Sequence, residues 1–252
     1  MTDKALGFGV DVGGSGVKGA VVDLHTGEFV GERVKIATPR PATTNAVAEV
    51  VAQITQQCDW SGPVGITLPS VVVQQVARTA ANIDQSWVGA NVHTVFARAL
   101  GTERVAVLND ADAAGIAEVA FGDPAARSGA VIFLTFGTGI GSAFLMDGTL
   151  FPNTELGHMR IDGAEAEQFA SSAARDREKL SYKKWAKRVD TVLHEYERLF
   201  NPSAFVVGGG ISRHAERWVP MLTVETPVVP AALRNRAGIV GAAMAAQSRV
   251  AP

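Results

Sequence analysis

The sequence predicts an α/β protein, and three observations predict it. Short runs rich in Val, Ile and Phe alternate with segments whose apolar residues recur at three- and four-residue spacing. Gly-rich turns punctuate the runs. One such turn, set between two strands, occurs in each half of the chain. With 252 residues, 47% of them hydrophobic, there is enough chain for one large domain or two modest ones, each with its own core.

The opening reads as an antiparallel meander. Apolar residues cluster in "GFGVDV" and "GVKGAVVDL", "HTG" at His25–Gly27 makes a turn, and "EFVGERVKIA" is a third strand. Pro41–Gln57 reads as a helix, because Val47, Val50, Val51 and Ile54 share one face. "PVGITLP" is a short buried strand. Asn91–Leu100 is a helix with Val92, Val95, Phe96 and Ala99 together. "RVAVLND" is a strand ending in polar residues, and "DADAAGIAEVAFG" a helix closed by Gly122. The opening theme then returns in "AVIFLTFGTGIGSAFLMDGTLF", with a Gly-rich turn at Gly137, Gly139 and Gly141 and a second turn at Asp147-Gly148. The two hairpins read as a weak internal duplication.

Glu165–Ala174 reads as helical. Ser181–Phe200 is a long helix with Trp185, Val189, Val192, Tyr196 and Leu199 on one face. "AFVVGGG" is a strand that breaks into Gly208–Gly210, "TPVVPA" a short strand, and Arg236–Arg249 a helix of small residues. No low-complexity linker marks a boundary. The expected hinge lies near Leu108, giving a smaller domain over 1–108 and a larger one over 109–235, with the helix over 236–252 able to pack back on the first.

Composition excludes several classes. A net charge of −2 gives no whole-molecule basic field for nucleic acid or acidic membranes. The single cysteine, Cys58, makes no internal disulfide and no multi-cysteine zinc site, which points to a reducing cytosol. "MTDKALGFG" has no charged-then-apolar leader, and no apolar run reaches the ~18–20 residues that span a bilayer. The expectation is a soluble cytoplasmic protein.

The chemistry-bearing stretches come at turns. In "DVGGSGVK" (Asp11–Lys18), Gly13, Gly14 and Gly16 leave backbone N–H groups open to a phosphate, Ser15 adds a hydroxyl, Lys18 a charge, and Asp11 could hold Mg²⁺ through water. A plain tight hairpin with glycine at positive φ is the alternative. A Walker loop or a dinucleotide fingerprint is excluded, because no helical pattern follows the glycines. "TFGTGIGS" offers Thr135, Gly137, Thr138 and Gly139 as a second cradle. In "LNDADAAG", Asn109 and Asp110 end a strand and precede a helix. An Asp there can take a proton from an attacking hydroxyl, or it can cap the helix. "NTELGHM" places Glu155 and His158 on one loop, a pair suited to vicinal hydroxyls or an incidental feature of a solvated loop. "GGGIS" offers Gly209 and Gly210 to a flat base or to phosphates, unless it is a plain turn. The run Arg175–Arg188, with Lys183, Lys184, Lys187 and Arg188, is either a solvated helix face or a track for a long polyanion.

Taken in order and spacing, "DVGGSGVKGAVVD", "LNDADAAG", "FGTGIGSAFLMDG", "ELGHM" and "GGGIS" resemble the motifs of the ROK group of sugar kinases. That resemblance covers nearly the whole chain. It implies a two-domain actin/hexokinase-like (ribonuclease H-like) ATPase fold with a Gly-rich β-hairpin in each half. It implies Asp110 as the general base, and Asn109, Glu155, His158, Glu167 and Asn82 as sugar-binding groups. Most of the group follow the Gly-His pair with a zinc-binding cysteine cluster, and "GHMRIDGAEAEQFAS" has no cysteine, so no structural zinc is expected. The short chain and "SYKKWAKR" are similar to the actinobacterial polyphosphate/ATP glucokinase subgroup. The function this implies is transfer of a terminal phosphoryl group from polyphosphate or ATP to the 6-hydroxyl of glucose, with Mg²⁺, in a homodimer. A kinase for mannose, fructose or an N-acetylhexosamine is the alternative. A sugar-sensing regulator fits less well, because the chain starts directly at its first strand.

Overall fold

Valine-rich segments of even spacing build the first sheet. The computed structural model describes residues 5–161 and 163–248, and the chain divides into two units, Met1–Ala117 with Arg236–Pro252, and Glu118–Asn235. In the first unit, β1 (Leu6–Gly13), β2 (Gly16–Asp23) and β3 (Glu28–Ile36) form the antiparallel meander. β4 (Val64–Leu68) follows, then a small ribbon of β5 (Val72–Val73) and β6 (Val76–Ala77), then β7 (Val105–Asn109). β4 and β7 join β1 in parallel, giving the order β3-β2-β1-β4-β7.

The helices begin where a side chain can accept the first N–H groups. Helix α1 (Thr44–Gln57) starts after Thr43, whose hydroxyl accepts from Ala46 N–H, and not at Pro41 as the apolar spacing predicts. Asn91 caps α2 (Val92–Leu100), which ends at Gly101 with φ 64°. Helix α3 (Asp110–Phe121) leaves the end of β7. Phe8, Val10, Ile54, Ile66, Trp87 and Phe96 are fully buried in the core of this unit.

The last helix, α7 (Ala237–Ser248), lies almost backbone to backbone against this sheet and α3. A Cβ added at Gly9 would sit 1.9 Å from the Ile239 carbonyl oxygen, and one at Gly65 1.8 Å from that of Ala242. On the helix side, a Cβ at Gly241 would sit 1.7 Å from the carbonyl oxygen of Ala113. No methyl group fits at such distances, so these glycines set the depth at which α7 seats. Because α3 starts on this sheet and packs against α7, the division between units falls after Ala117 and not at Leu108, and the first unit is the larger.

The second unit repeats the order with other residues. It contains β8 (Ala130–Phe136), β9 (Ile140–Met146), β10 (Thr149–Phe151), a ribbon of β11 (Arg160–Ile161) and β12 (Ala164–Glu165), β13 (Ala204–Gly208) and β14 (Val228–Pro230). Its sheet runs β10-β9-β8-β13-β14, again a three-stranded meander extended by two parallel strands. The duplication therefore lives in the strand order more than in residue identity.

One helix expected over Glu165–Ala174 is two: α4 (Ala166–Ala170) and α5 (Ser172–Arg177). Ser171 breaks it. Its hydroxyl caps α5 by accepting from Ala174 N–H, and the Trp185 indole N–H takes the carbonyls of Ala170 and Ser171. The long helix α6 (Tyr182–Phe200) buries Trp185, Val189, Val192, Leu193 and Tyr196. Leu199, expected on that face, is 47% exposed, and at this end of the helix it is Phe200 that packs on the sheet, against Phe144 of β9. Among the described residues no helix is long and apolar enough to cross a membrane.

The glycine contacts give a direct stability test. Gly65→Ala forces the sheet and α7 apart and should cost about 1–3 kcal/mol, the range for overpacking a tight core. Urea unfolding read by tryptophan fluorescence measures it. A variant as stable as the parent would show that α7 does not need the close approach.

Candidate active site

In the first unit the parallel register sets polar residues along one edge. Asp11 pairs with Thr67, and Leu68 with Asn109, so the carboxyl ends of β1, β4 and β7 present Asp11, Thr67 and Asn109. Ligands in open α/β sheets bind at this edge. Asp11 Oδ1 accepts from the Thr67 hydroxyl at 3.0 Å, and Oδ2 pairs with Lys18 Nζ at 3.2 Å. Thr67 escaped the sequence reading, since its only signal is its place at a strand end. A carboxylate already holding a hydroxyl and an ammonium group suits the water shell of a hydrated cation better than a bare ion, so the residues fit Mg²⁺ held through water.

At the end of β7 two neighbouring polar side chains meet the start of α3. Asn109 Oδ1 accepts from the N–H groups of Ala111 (2.8 Å) and Asp112 (3.3 Å), and its amide donates to the Ser70 carbonyl at 3.2 Å. Asn109 is thus the cap of α3 and is nearly buried, with one amide hydrogen left to offer a substrate hydroxyl. Asp110, the first residue of the helix, is exposed, with Oδ1 2.9 Å from Ala111 N–H. Asp112 points into the core and is fully buried.

The first Gly-rich turn is a two-residue hairpin with Gly13 opposite Gly16. None of Gly13, Gly14 and Gly16 has a positive φ, so the left-handed turn weighed from the sequence is not what requires them. Ser15 lies exposed at the tip. Asn82, at φ 61°, stands against Gly14, where a Cβ would come within 3.1 Å of the Asn82 Cβ.

In the second unit the glycines sort into two kinds. Gly139 is pressed on Glu167, whose Oε2 would lie 2.3 Å from an added Cβ. Gly209 has φ 85° and abuts the Phe136 carbonyl. Gly209 is required by the chain itself, whereas Gly139 faces the movable end of a side chain. At Gly137 and Gly210 an added Cβ meets nothing within 4 Å, and neither has a positive φ. Their backbone stands open, as a cradle for a phosphate or a base requires. Thr135 lies half-buried at the end of β8, and Thr138 is exposed at the turn.

The loop carrying Glu155 and His158 is anchored from beneath. Ser142 Oγ donates to the Thr154 carbonyl and accepts from Leu156 N–H, and the Tyr196 hydroxyl donates to the Leu156 carbonyl at 2.7 Å. Burial pushes the Tyr196 pKa upward, so that hydroxyl stays a donor. Gly157 lies flush on the Ile140 carbonyl.

Three carboxylates then surround one imidazole. His158 Nε2 lies 3.6 Å from Glu155, and Nδ1 3.5 Å from Glu165 and 3.8 Å from Glu167. Glu167 also accepts from Ile140 N–H at 3.3 Å, which ties this cluster to the second Gly-rich turn. Glu165 was missed in the sequence, where it was read only as the start of a helix, although Glu167 two residues on was named. Ligand atoms of His158, Glu165 and Glu167 lie within 4.8 Å of one another. Such a set could share a cation, but zinc in closed sites favours sulfur and nitrogen, which this set lacks beyond one imidazole.

The basic run is only partly available. Arg188 is committed to Glu178 at 2.5 Å, to the Phe169 carbonyl, and to the Phe169 ring at 4.9 Å, which removes it from the polyanion track. Lys183, Lys184 and Lys187 are exposed on α6.

Burial raises the Glu155 pKa, His158 opposes this, and Glu167 adds to the rise. A carboxyl whose folded pKa lies above its unfolded value costs stability once pH rises through the two values, from about 4.3 upward. Glu155→Gln should therefore raise the thermal midpoint at pH 7 and leave it unchanged near pH 3. A fall at pH 7 would mean that the pairing with His158 outweighs the lost hydration.

Comparison with known proteins places the chain. The ROK family profile matches residues 7–179. A polyphosphate glucokinase from Mycobacterium tuberculosis is 53% identical over 97% of this chain and 92% of its own. The crystal structure of an inorganic polyphosphate/ATP-glucomannokinase from Arthrobacter sp. strain KM superposes with a TM-score of 0.90, at 45% identity, over 98% of this chain and all of that one. A ROK family glucokinase from Streptomyces griseus, 24% identical, shares the fold with a TM-score of 0.80 over 97% of this chain and all of that one. The fold is therefore that of the actin/hexokinase-like sugar kinases, and the chain belongs to the ROK family.

Proposed function

We propose that this protein is a glucokinase that transfers a terminal phosphoryl group from inorganic polyphosphate or ATP to the 6-hydroxyl of glucose. The observation that carries the reading is the division of labour at the end of β7. Asn109 caps the helix, so the Asp110 carboxylate stands exposed at the strand edge where an acceptor hydroxyl would lie. The names of the relatives supply the substrate: polyphosphate glucokinase for the mycobacterial one.

The reaction asks for positioning and charge stabilisation more than covalent chemistry. Asp110 accepts the proton of the 6-hydroxyl as its oxygen attacks the terminal phosphorus. The bond from that phosphorus to the next phosphate oxygen breaks, leaving ADP or a polyphosphate shorter by one unit, and Asp110 returns its proton to solvent. Glu155, His158 and Glu167 bind and orient sugar hydroxyls, with Glu165 steadying the imidazole. Asn109 and Asn82 add further sugar contacts. The donor-binding elements are, in the second unit, the open backbone of Gly137 and Gly210 and, in the first, the hairpin Gly13–Gly16 with Ser15 and Lys18. Thr135, Thr138, Gly139 and Gly209 shape the second cradle. Mg²⁺, held through water at Asp11, supplies neutralising charge to the donor oxygens when bound.

Mannose is the second reading, favoured by the glucomannokinase name of the Arthrobacter relative. The homodimer belongs to the same proposal. A solution mass of two chains by light scattering supports it, and a single-chain mass contradicts it.

Positioned general-base catalysis is typically worth ~10²–10⁴-fold. Asp110→Asn should lower kcat by about that factor with the fold intact, and a loss below about tenfold would sink the assignment. Gly137→Ala should unfold like the parent, because its methyl group enters open space, yet raise the donor KM severalfold. Unchanged donor kinetics would return Gly137 to an ordinary turn.

A further inference from the structure

Two arginines stack on one aromatic ring in the second unit. The guanidinium carbon of Arg175 lies 4.2 Å from the Tyr182 ring centroid and that of Arg217 lies 4.1 Å from it. His214 meets the same ring edge-on at 6.2 Å. Arg175 has a carboxylate partner in Asp176 at 2.8 Å, whereas no acidic side chain forms an ion pair with Arg213 or Arg217 among the described residues. Elsewhere in the basic run Arg177 and Arg188 share one carboxylate, Glu178. Positive charge is thus gathered around Tyr182 with little internal compensation, and the stacked guanidiniums are held in fixed orientation.

The placement of these arginines matters as much as their charge. Helix α5, which carries Arg175, is tied to the second Gly-rich turn by Ala173 N–H donating to the Gly137 carbonyl at 3.0 Å. The 3₁₀ segment Gly210–Arg217, which carries Arg213 and Arg217, starts at the other open glycine. Both segments lead from the proposed donor cradle to the same ring. Guanidinium groups bind phosphate oxygens through paired N–H donors, which ammonium groups cannot do.

We propose that Arg217, stacked on Tyr182, and Arg213, exposed on the same 3₁₀ segment, form the docking surface for the distal phosphates of a long polyphosphate donor, in preference to the exposed lysines of α6. The inference rests on the donor reading above. The test compares the full chain with Arg213→Ala/Arg217→Ala and with Lys183→Glu/Lys184→Glu. Each is assayed for glucose phosphorylation from long-chain polyphosphate, tripolyphosphate and ATP, and for direct binding of long-chain polyphosphate at low and high salt.

The arginine variant should raise the long-chain KM by about tenfold at low salt, the loss expected for one charge-assisted hydrogen bond. The deficit should shrink at high salt. Tripolyphosphate and ATP, which carry no distal phosphates, should change much less, and the lysine variant should lose less than the arginine variant. Equal losses on every donor, no loss on the long chain, or a larger loss in the lysine variant would each overturn the assignment. If the parent chain neither uses nor binds polyphosphate, the donor reading falls and this surface with it. If the parent uses polyphosphate and the arginine variant does so equally well, the surface alone falls.

Discussion

The first unit depends on the backbone approach between α7 and the sheet. Gly9 and Gly65 stand in β1 and β4, two of the parallel strands whose ends carry Asp11 and Thr67. Gly241 meets α3 at Ala113, one turn beyond Asp110. Seating of α7 therefore fixes the height of both strands and of the helix that Asp110 begins. A side chain at any of these glycines would displace the ends of the strands before it reached a ligand. The C-terminal segment is thereby part of the apparatus that positions groups read from the first hundred residues.

Glycine has two separate uses in this chain, and only coordinates tell them apart. Gly209 is required by its φ of 85° and by the Phe136 carbonyl, and Gly139 lies against the movable carboxylate of Glu167. Gly137 and Gly210 are required by nothing in the chain. In the sequence all four sit in similar Gly-rich turns. The distinction leaves Gly137 and Gly210 as the positions in these two turns where an added Cβ meets nothing and no positive φ is needed.

The α/β class, the meander and the return of its pattern were legible because strand and turn residues alternate plainly in "DVGGSGVKGAVVD" and "TFGTGIGSAFLMDG". Helix starts were less legible. Pro41 begins the apolar period, but Thr43 holds the first accepting hydroxyl. The break at Ser171 needed the indole of Trp185, remote in sequence, to claim two carbonyls. In the site, the sequence left Asp110 as cap or as base, and it could not show that Asn109 takes the capping N–H groups of Ala111 and Asp112. Thr67 and Glu165 were invisible, because strand register and ribbon geometry bring them to Asp11 and His158. The polyanion track read from charge density included Arg188, which its pairing with Glu178 removes.

The central claim is phosphoryl transfer to a hexose from a polyphosphate or nucleotide donor. The most direct measurement incubates the purified chain and Mg²⁺ with glucose or mannose and with ATP or polyphosphate of defined length, and quantifies sugar 6-phosphate. The account predicts glucose 6-phosphate from polyphosphate, with ATP as an alternative donor. Absence of any sugar phosphate from every donor and acceptor pair would contradict it.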